Sequence, residues 1–320
     1  MTRGPERTSP PMKRALILGR INGVGLDRDA SVLATALAAR GIETQCPPWK
    51  NPLAALSGKS TANIAIHLER VAPAWWRFKA PLHLLIPNQE RFPKRLLGKL
   101  RRIDRVLCKS RHATEIFSEL HPQVRFIGFT SPDRLLETTT PDYSRFFHLA
   151  GRSTLKNTEL LLELWAKHPE WPTLTLVQHP DNAPSQVPPN VNLISRYLPD
   201  DELRSLQNTC GIHLCPSLSE GWGHYIVEAM SCRALVVTTD APPMNELVSP
   251  ERGLTVPVVR KEPRHLGWNY HVDPDALETV IESLLTMPEP DKLTLGMAAR
   301  RWFEENERDF PARLAEAIEG

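Results

Sequence analysis

The sequence predicts an α/β protein of two doubly wound domains, each a parallel sheet flanked by helices, facing each other across a cleft. Three observations carry this. Short apolar runs of strand length alternate with helix-capable stretches along most of the 320 residues. The alternation breaks at 130–142, where TSPDRLLETTTPD gathers prolines and threonines as a linker does. A chain of this length, 41% hydrophobic, can fill one large or two medium cores without disulfides or metals.

The first element is ALILG at 15–19, an apolar run stopped by glycine. A turn loosened by Gly23 and Gly25 follows, and Val32, Leu33, Ala36 and Leu37 then recur at helical spacing until Gly41 ends the helix. Strand-type runs occupy 62–68, 81–87, 105–110 and 124–129, each bounded by proline, glycine or polar residues. Beyond the linker a second series opens with FFHLAG at 146–151, a helix around 158–167, and strands at 173–179 and 191–198. The next helix begins near Asp200, Asp201 and Glu202, whose charges suit the positive end of the helix dipole. GIHLCPS at 211–217, a helix over 223–231 and ALVVTTD at 234–240 continue the alternation. Residues 291–318 read as one or two amphipathic helices, broken near Pro311. The expected units are 12–135, 143–290 and a helical tail, 291–320, able to cross back to the first domain.

Composition excludes several classes. An ordinary apolar fraction and a net charge of +2 exclude a disordered chain. No stretch approaches the roughly 18 apolar residues of a membrane-spanning helix, and the opening MTRGPERTSPPMKR has no apolar segment of signal-peptide length. Cys46, Cys108, Cys210, Cys215 and Cys232 form no CxxC pair and are odd in number, so a reducing cytoplasm is expected rather than a disulfide framework or zinc site. Charge is divided unevenly: residues 1–110 hold 20 Lys and Arg against 7 Asp and Glu, a net of +13, whereas 111–320 hold 19 against 30. Either the basic half is a solvated face, or it meets something anionic: the inner face of a membrane, in peripheral contact, or an anionic acceptor. Its densest part is Lys94, Arg95, Lys99, Arg101, Arg102, Arg105 and Lys109. No aromatic residue lies within 94–109 to stack on bases, which argues against nucleic acid.

The stretch most suited to chemistry is SEGWGHYIVEAM at 219–230. It follows a strand and leads into a helix, at the sheet edge where such folds bind ligands. Gly221 and Gly223 let the backbone come close to a ligand, and the free amides of Gly223, His224 and Tyr225 suit an anion. Glu220 lies before the helix and Glu228 in its second turn, placed to reach different parts of a hydroxyl-rich molecule. An isolated Glu pair is more often one dipole-favoured and one solvated residue; here the flanking strands and turn favour the ligand reading.

With those residues in view, PSLSEGWGHYIVEAMSCRALVVTTDAPPMNELV resembles the glutamate–seven residues–glutamate motif of the retaining GT-B glycosyltransferases, family four (glycosyl transferases group 1). HLAGRSTLKNTELLLELW at 148–165 resembles the same family's glycine–arginine segment with a lysine four residues on, and 193–217 resembles the stretch between. The likeness is dense from about 146 to 250 and weak over 12–130. It implies a GT-B fold of two Rossmann-like domains with no cofactor beyond a nucleotide diphosphate sugar, UDP- or GDP-linked. Arg152 and Lys156 would hold the diphosphate, Glu228 the ribose and Glu220 the sugar. Amides near Gly223, His224 and Tyr225 would complete the pocket, with Arg196, Tyr197 and Leu198 flanking the base and Gly23 and Gly25 approaching the pyrophosphate. Tyr197 could equally be a partly buried core aromatic.

On the acceptor side, His67 falls where this family often places a histidine near the reacting carbon, though a histidine at a strand end is as readily a structural hydrogen-bonding residue. Asn88 and Glu90, after LHLLIP, are candidate acceptor groups for a glycan, a lipid-linked or a small-molecule acceptor. Trp75, Trp76 and Phe78, interleaved with Arg77 and Lys79, read as a packed cluster or a membrane-dipping edge. The implied reaction is sugar transfer with retention and without metal, since no DxD pair stands at a strand end and Asp200 and Asp201 look like a helix cap. The alternatives are a nucleotide-sugar epimerase or hydrolase on the same fold, and a non-catalytic nucleotide-sugar-binding partner.

Overall fold

The computed structural model describes residues 13–20, 25–51 and 62–320. Its first sheet comprises β1 (Arg14–Leu18), β2 (Glu43–Gln45), β3 (Ile64–Glu69), β4 (Leu82–Pro87), β5 (Arg105–Cys108) and β6 (Val124–Phe126), in the order β2-β1-β3-β4-β5-β6. Every pairing in it is parallel. The second holds β7 (Asp142–Gly151), β8 (Leu174–Gln178), β9 (Val191–Ile194), β10 (Cys210–Cys215), β11 (Leu235–Thr239) and β12 (Leu254–Val256), in the order β12-β11-β10-β7-β8-β9, also parallel. Parallel pairing sends all six carboxyl ends of each sheet to one edge, and the polar loops of the two edges meet. These are the two Rossmann-like sheets of a GT-B fold.

The helices are α1 (Gly25–Ala38), α2 (Arg111–Ser118), α3 (Thr158–Lys167), α4 (Asp200–Thr209), α5 (His224–Ser231), α6 (Met244–Leu247), α7 (Pro274–Thr286) and α8 (Glu289–Glu319). In the first half the connections after β3 and β4 are 3-10 turns, Ala74–Phe78 and Lys94–Arg102; prolines 73 and 93 start them and Gly98 weakens the second. The aromatic stretch splits: Trp76 is buried and donates Nε1–H to Trp49 O at 2.7 Å, whereas Phe78 is exposed under Arg77.

The structure departs from the sequence reading in two places. The C-terminal segment is one helix running through Pro311, not a broken pair. Proline removes a donor and crowds the carbonyl of Glu307, at a cost of about 3 kcal/mol. Phe303, Phe310, Leu314, Ala317 and Ile318 are buried on both sides of it, and each large apolar side chain returns about 1.5–3 kcal/mol. Packing therefore wins. The second departure is an antiparallel ribbon, β13 (Val258–Arg264) with β14 (Gly267–Val272), which the alternation did not foresee.

Helix α8 fastens the halves together. Near its start Gly296 lies against Arg233 and Tyr143; further on, Asn306 Nδ2 donates to Phe129 O at 2.6 Å, and Arg313 Nε to Ile127 O at 2.9 Å. One apolar core runs from Ile17 and Ile66 of the first sheet and Leu33 of α1 through Phe303 and Phe310 to Tyr225 and Ile226 of α5. All five cysteines are free thiols, and no described helix is long and apolar enough to cross a membrane.

Candidate functional site

Two loops at the edge of the second sheet are stitched to one another. Leu218 N–H donates to Leu155 O at 2.9 Å, which sets the loop after β7 beside the turn after β10. That bond brings Lys156 to Glu220. The Lys156 ammonium contacts Glu220 Oε1 and lies 3.4 Å from the centre of the Tyr225 ring. Ser217 Oγ–H donates to the same Glu220 oxygen at 2.6 Å and also meets the Tyr225 hydroxyl. Both charged side chains are largely buried, at 13% and 14% exposure, so little water screens the pair. His148, buried beneath the loop and held neutral with its pKa down at about 4 by burial, bonds Leu214 O and Thr158 Oγ1.

Gly223 begins α5 with φ of 103°, a conformation that a side chain strains. Gly221 is needed for a different reason: a Cβ there would lie 2.5 Å from the Asn88 side chain of the facing domain. Gln89 Nε2 donates to Glu220 O at 2.9 Å across the same junction. Asn88 and Glu90 thus stand at the Glu220 turn. Asn88 Oδ1, Glu90 Oε2 and Trp222 Nε1 are buried there with no hydrogen-bond partner among the described residues. Burial, reinforced by the charge of Glu220, pushes the Glu90 carboxyl up to about 7.

The remaining candidates are distributed differently from the sequence reading. Glu228 does not face an open cleft. It is fully buried, 2.9 Å from Arg28 of α1 and within reach of Gln207 Nε2 at 3.2 Å. His224 presents its ring to the other domain, where Asp29 at 2.9 Å and Ser131 Oγ at 2.8 Å take its two nitrogens. Burial alone would raise the Asp29 pKa, but Lys109 at 2.8 Å and His224 hold it down at about 2. Arg152 is exposed, 3.5 Å from Asp181. Arg196 is paired with Glu202, and Tyr197 is 87% exposed, so it is no core aromatic; Leu198 packs on Val177 and Phe147. Asp200 is no cap: Arg134 of the linker grips its carboxylate with two bonds of 2.8 and 2.9 Å. Gly25 is the first residue of α1, with no atom of the described residues within 4 Å of where a Cβ would go, and Gly23 lies outside the described residues.

His67 receives a correction. Ala72 N–H donates to its Nδ1 at 2.9 Å, so the proton is assigned to Nε2, which meets His83 Nδ1 at 3.0 Å; His83 Nε2 in turn reaches Ala80 O at 3.1 Å. Burial first, then His83, lowers its pKa to about 3. Both nitrogens are committed inside the first domain, which is a structural role.

Among the described residues, one group could gather a metal ion, His168 with Glu278 and Glu282. It stands at the end of α3, by the opposite edge of the sheet, and Lys167 and His168 already occupy Glu278. A cavity of about 620 Å³ lies at the ends of β1 and β2, lined by Gly19, Arg20, Trp49 and Lys50, and none of the described candidates for donor binding contributes to it. Sequence reasoning missed Ser217, Arg28, Asp29 and Gln207. Only Ser217 had a local signal, three residues before Glu220 on a turn.

With this geometry in place the comparisons are decisive on one point. The family described as glycosyl transferases group 1 matches residues 186–301. Residues 186–301 are thus similar to a group 1 glycosyltransferase domain. No curated protein matches it in sequence. Solved structures resemble it closely in fold. The sucrose-phosphate synthase from Thermosynechococcus elongatus shares 16% identity over 95% of this chain and 98% of its own, with a TM-score of 0.69. HepE from Anabaena, in complex with UDP and glucose, shares 13% over 96% and 99%, at 0.71. WaaG, a glycosyltransferase of lipopolysaccharide biosynthesis, shares 15% over 96% and 100%, at 0.65. The glycosyltransferase domain includes the turn from Ser217 to Gly223, Glu228 and the ribbon, while Lys156 lies upstream of it.

Proposed function

We infer that the protein transfers a sugar from a nucleotide diphosphate donor, UDP- or GDP-linked, to an acceptor hydroxyl, with retention of configuration and without a metal ion. The observation that carries this is Lys156, lodged on Glu220 and Tyr225 at the mouth of the turn that opens α5. As the donor bond breaks, negative charge grows on the diphosphate; a preplaced ammonium and the unpaired first amides of a helix stabilise that charge in a dry site. Arg152, at the same sheet edge, adds a mobile guanidinium fork. Glu220, anchored by Lys156 and Ser217, accepts from hydroxyls of the transferred sugar. Ribose hydroxyls would replace Arg28 on Glu228 when the domains part to admit the donor.

The commitment of the carboxylates supports the reading of retention. Glu220 is neutralised by Lys156 and Glu228 by Arg28, which favours front-face attack, with a diphosphate oxygen taking the acceptor proton, over a double displacement through an enzymic nucleophile. Because HepE holds UDP and glucose, uridine donors come first in any trial. Five free thiols suit a reducing compartment, and we assign the reaction to the cytoplasm.

A thermal-shift screen against sugar nucleotides should raise the melting temperature with one donor class, because a ligand bound only by the folded state stabilises it. Transfer from that donor, followed with a radiolabel, should survive EDTA. Loss in chelator with recovery in Mg²⁺ would overturn the metal-free mechanism, and an inverted anomer in the product would overturn retention.

A further inference from the structure

Beside the acceptor groups lies a set of cations that the transfer itself does not use. The β13–β14 ribbon crosses from the glycosyltransferase domain to the first sheet. Its tip docks there: Leu266 N–H donates to Gln89 O at 3.2 Å, and Leu266 packs on the core of Val71, Leu85 and Phe92. At the next residue, Gly267, a Cβ would stand 3.3 Å from Gln89 Cγ, so the ribbon lies directly against the loop that carries Glu90.

Three segments deliver guanidinium groups to this junction. Arg70 follows the left-handed Glu69 (φ 62°) at the end of β3, Arg91 and Arg95 follow Glu90, and Arg264 ends β13. All four charges act on His265 at the ribbon tip; with burial as the largest cause, they hold its imidazole below the ordinary value. Two carboxylates oppose them: Glu69 stands 3.1 Å from Arg70 Nε, and Glu90 stands 3.8 Å from Arg91 Nε. Arg264 Nε is nevertheless buried without a hydrogen-bond partner among the described residues, a donor that an anion would satisfy. Four positive charges against two negative ones, with a buried donor of Arg264 left unused, is an arrangement that calls for an anionic ligand.

We propose that Arg70, Arg91, Arg95 and Arg264 form a subsite for a phosphate group on the acceptor, holding its hydroxyl against Asn88 and Glu90 at the Glu220 turn. The proposal rests on the reading of that turn as the place of transfer. Guanidinium forks fit phosphate oxygens two at a time, and Arg264 completes the subsite only while ribbon and first sheet are together. A phosphorylated small molecule and a phospholipid headgroup offer the same chemistry.

The test uses the full chain as wild type, as the double variant Arg95→Glu with Arg264→Glu, and as Lys156→Ala. Inorganic phosphate is titrated by calorimetry, and flotation is measured with vesicles of phosphatidylcholine alone or with one quarter phosphatidylglycerol. Wild type should bind phosphate, the anionic vesicles or both; the double variant should lose at least tenfold in affinity, and Lys156→Ala should keep it. Phosphate binding marks a soluble acceptor as the source, and binding to anionic vesicles alone marks a lipid headgroup. No binding by wild type, or loss in Lys156→Ala but not in the double variant, overturns the subsite. The thermal shift by a sugar nucleotide, expected unchanged in the double variant, shows that it is folded. A missing shift in wild type defeats the transferase reading instead.

Discussion

At the edge of the second sheet, Lys156 and Glu220 meet each other and keep their functional atoms toward the turn that opens α5. At the matching edge of the first sheet, His67 spends both ring nitrogens on Ala72 and His83. Both groups are shielded from water, His67 on β3 at 3% exposure and the Lys156 side chain in its loop at 13%, yet one holds charge ready and the other holds structure together. The difference lies in satisfaction. A charge paired with an opposite charge next to unfilled donors can be re-paired by a ligand, whereas a neutral ring with both nitrogens bonded to its own domain has nothing left to offer.

The sharpest test of that contrast is Lys156→Ala, expected to lower kcat about 100-fold or more, as removal of a preorganised charge stabiliser does. Arg152→Ala, whose side chain is 57% exposed and unplaced, should cost nearer tenfold. Equal losses in steady-state assays would mean that preorganisation does not separate the two cations. Next come the carboxylates. Glu228→Gln should weaken binding of the bare nucleotide diphosphate about tenfold, the worth of hydrogen bonds to a charged group, while Glu220→Gln should mainly lower turnover. Calorimetry that finds the same affinity loss in both would end that division of roles.

Glu90 tests the junction between the halves by pH. Its folded pKa of about 7 exceeds the ordinary 4.5, so its contribution to stability is full below about 4.5 and is lost as pH rises through 7. Glu90→Gln should therefore gain on wild type by about 2–3 kcal/mol between pH 5 and pH 8. Parallel denaturation curves at the two pH values would show that Glu90 is not the strained group. The smallest effect concerns His67. His67→Gln should cost about 1–3 kcal/mol of stability by breaking a buried hydrogen-bond chain, with kcat little changed. A kcat that collapses while the melting temperature holds would return His67 to the reaction.

Most of the proposed donor side was legible from neighbouring residues. Strand, glycine turn and helix N-terminus occur in sequence around Glu220, and each is dictated by chemistry within a few positions of itself. The acceptor side was legible only as polar residues at a strand end: Asn88 and Glu90 stand at the junction, whereas His67 has turned inward, and nothing within its own run NIAIHL marks His83 as its partner. The helical tail taught the same lesson. Pro311 predicts a break by local rules, and the buried residues on either side of it override them.

By itself the sequence determined two parallel α/β halves and the strand, turn and helix around Glu220, because hydrophobic period and turn residues act over short spans of chain. Only the tertiary structure decided that Arg28 caps Glu228, that Asp29 binds His224 from 195 residues away, and that the ribbon tip lands beside Glu90. Those contacts depend on how two closed sheets seat against one another. That seating is set by the sum of many apolar contacts along α8 and the common core, and such a sum leaves no mark at any single position of the sequence.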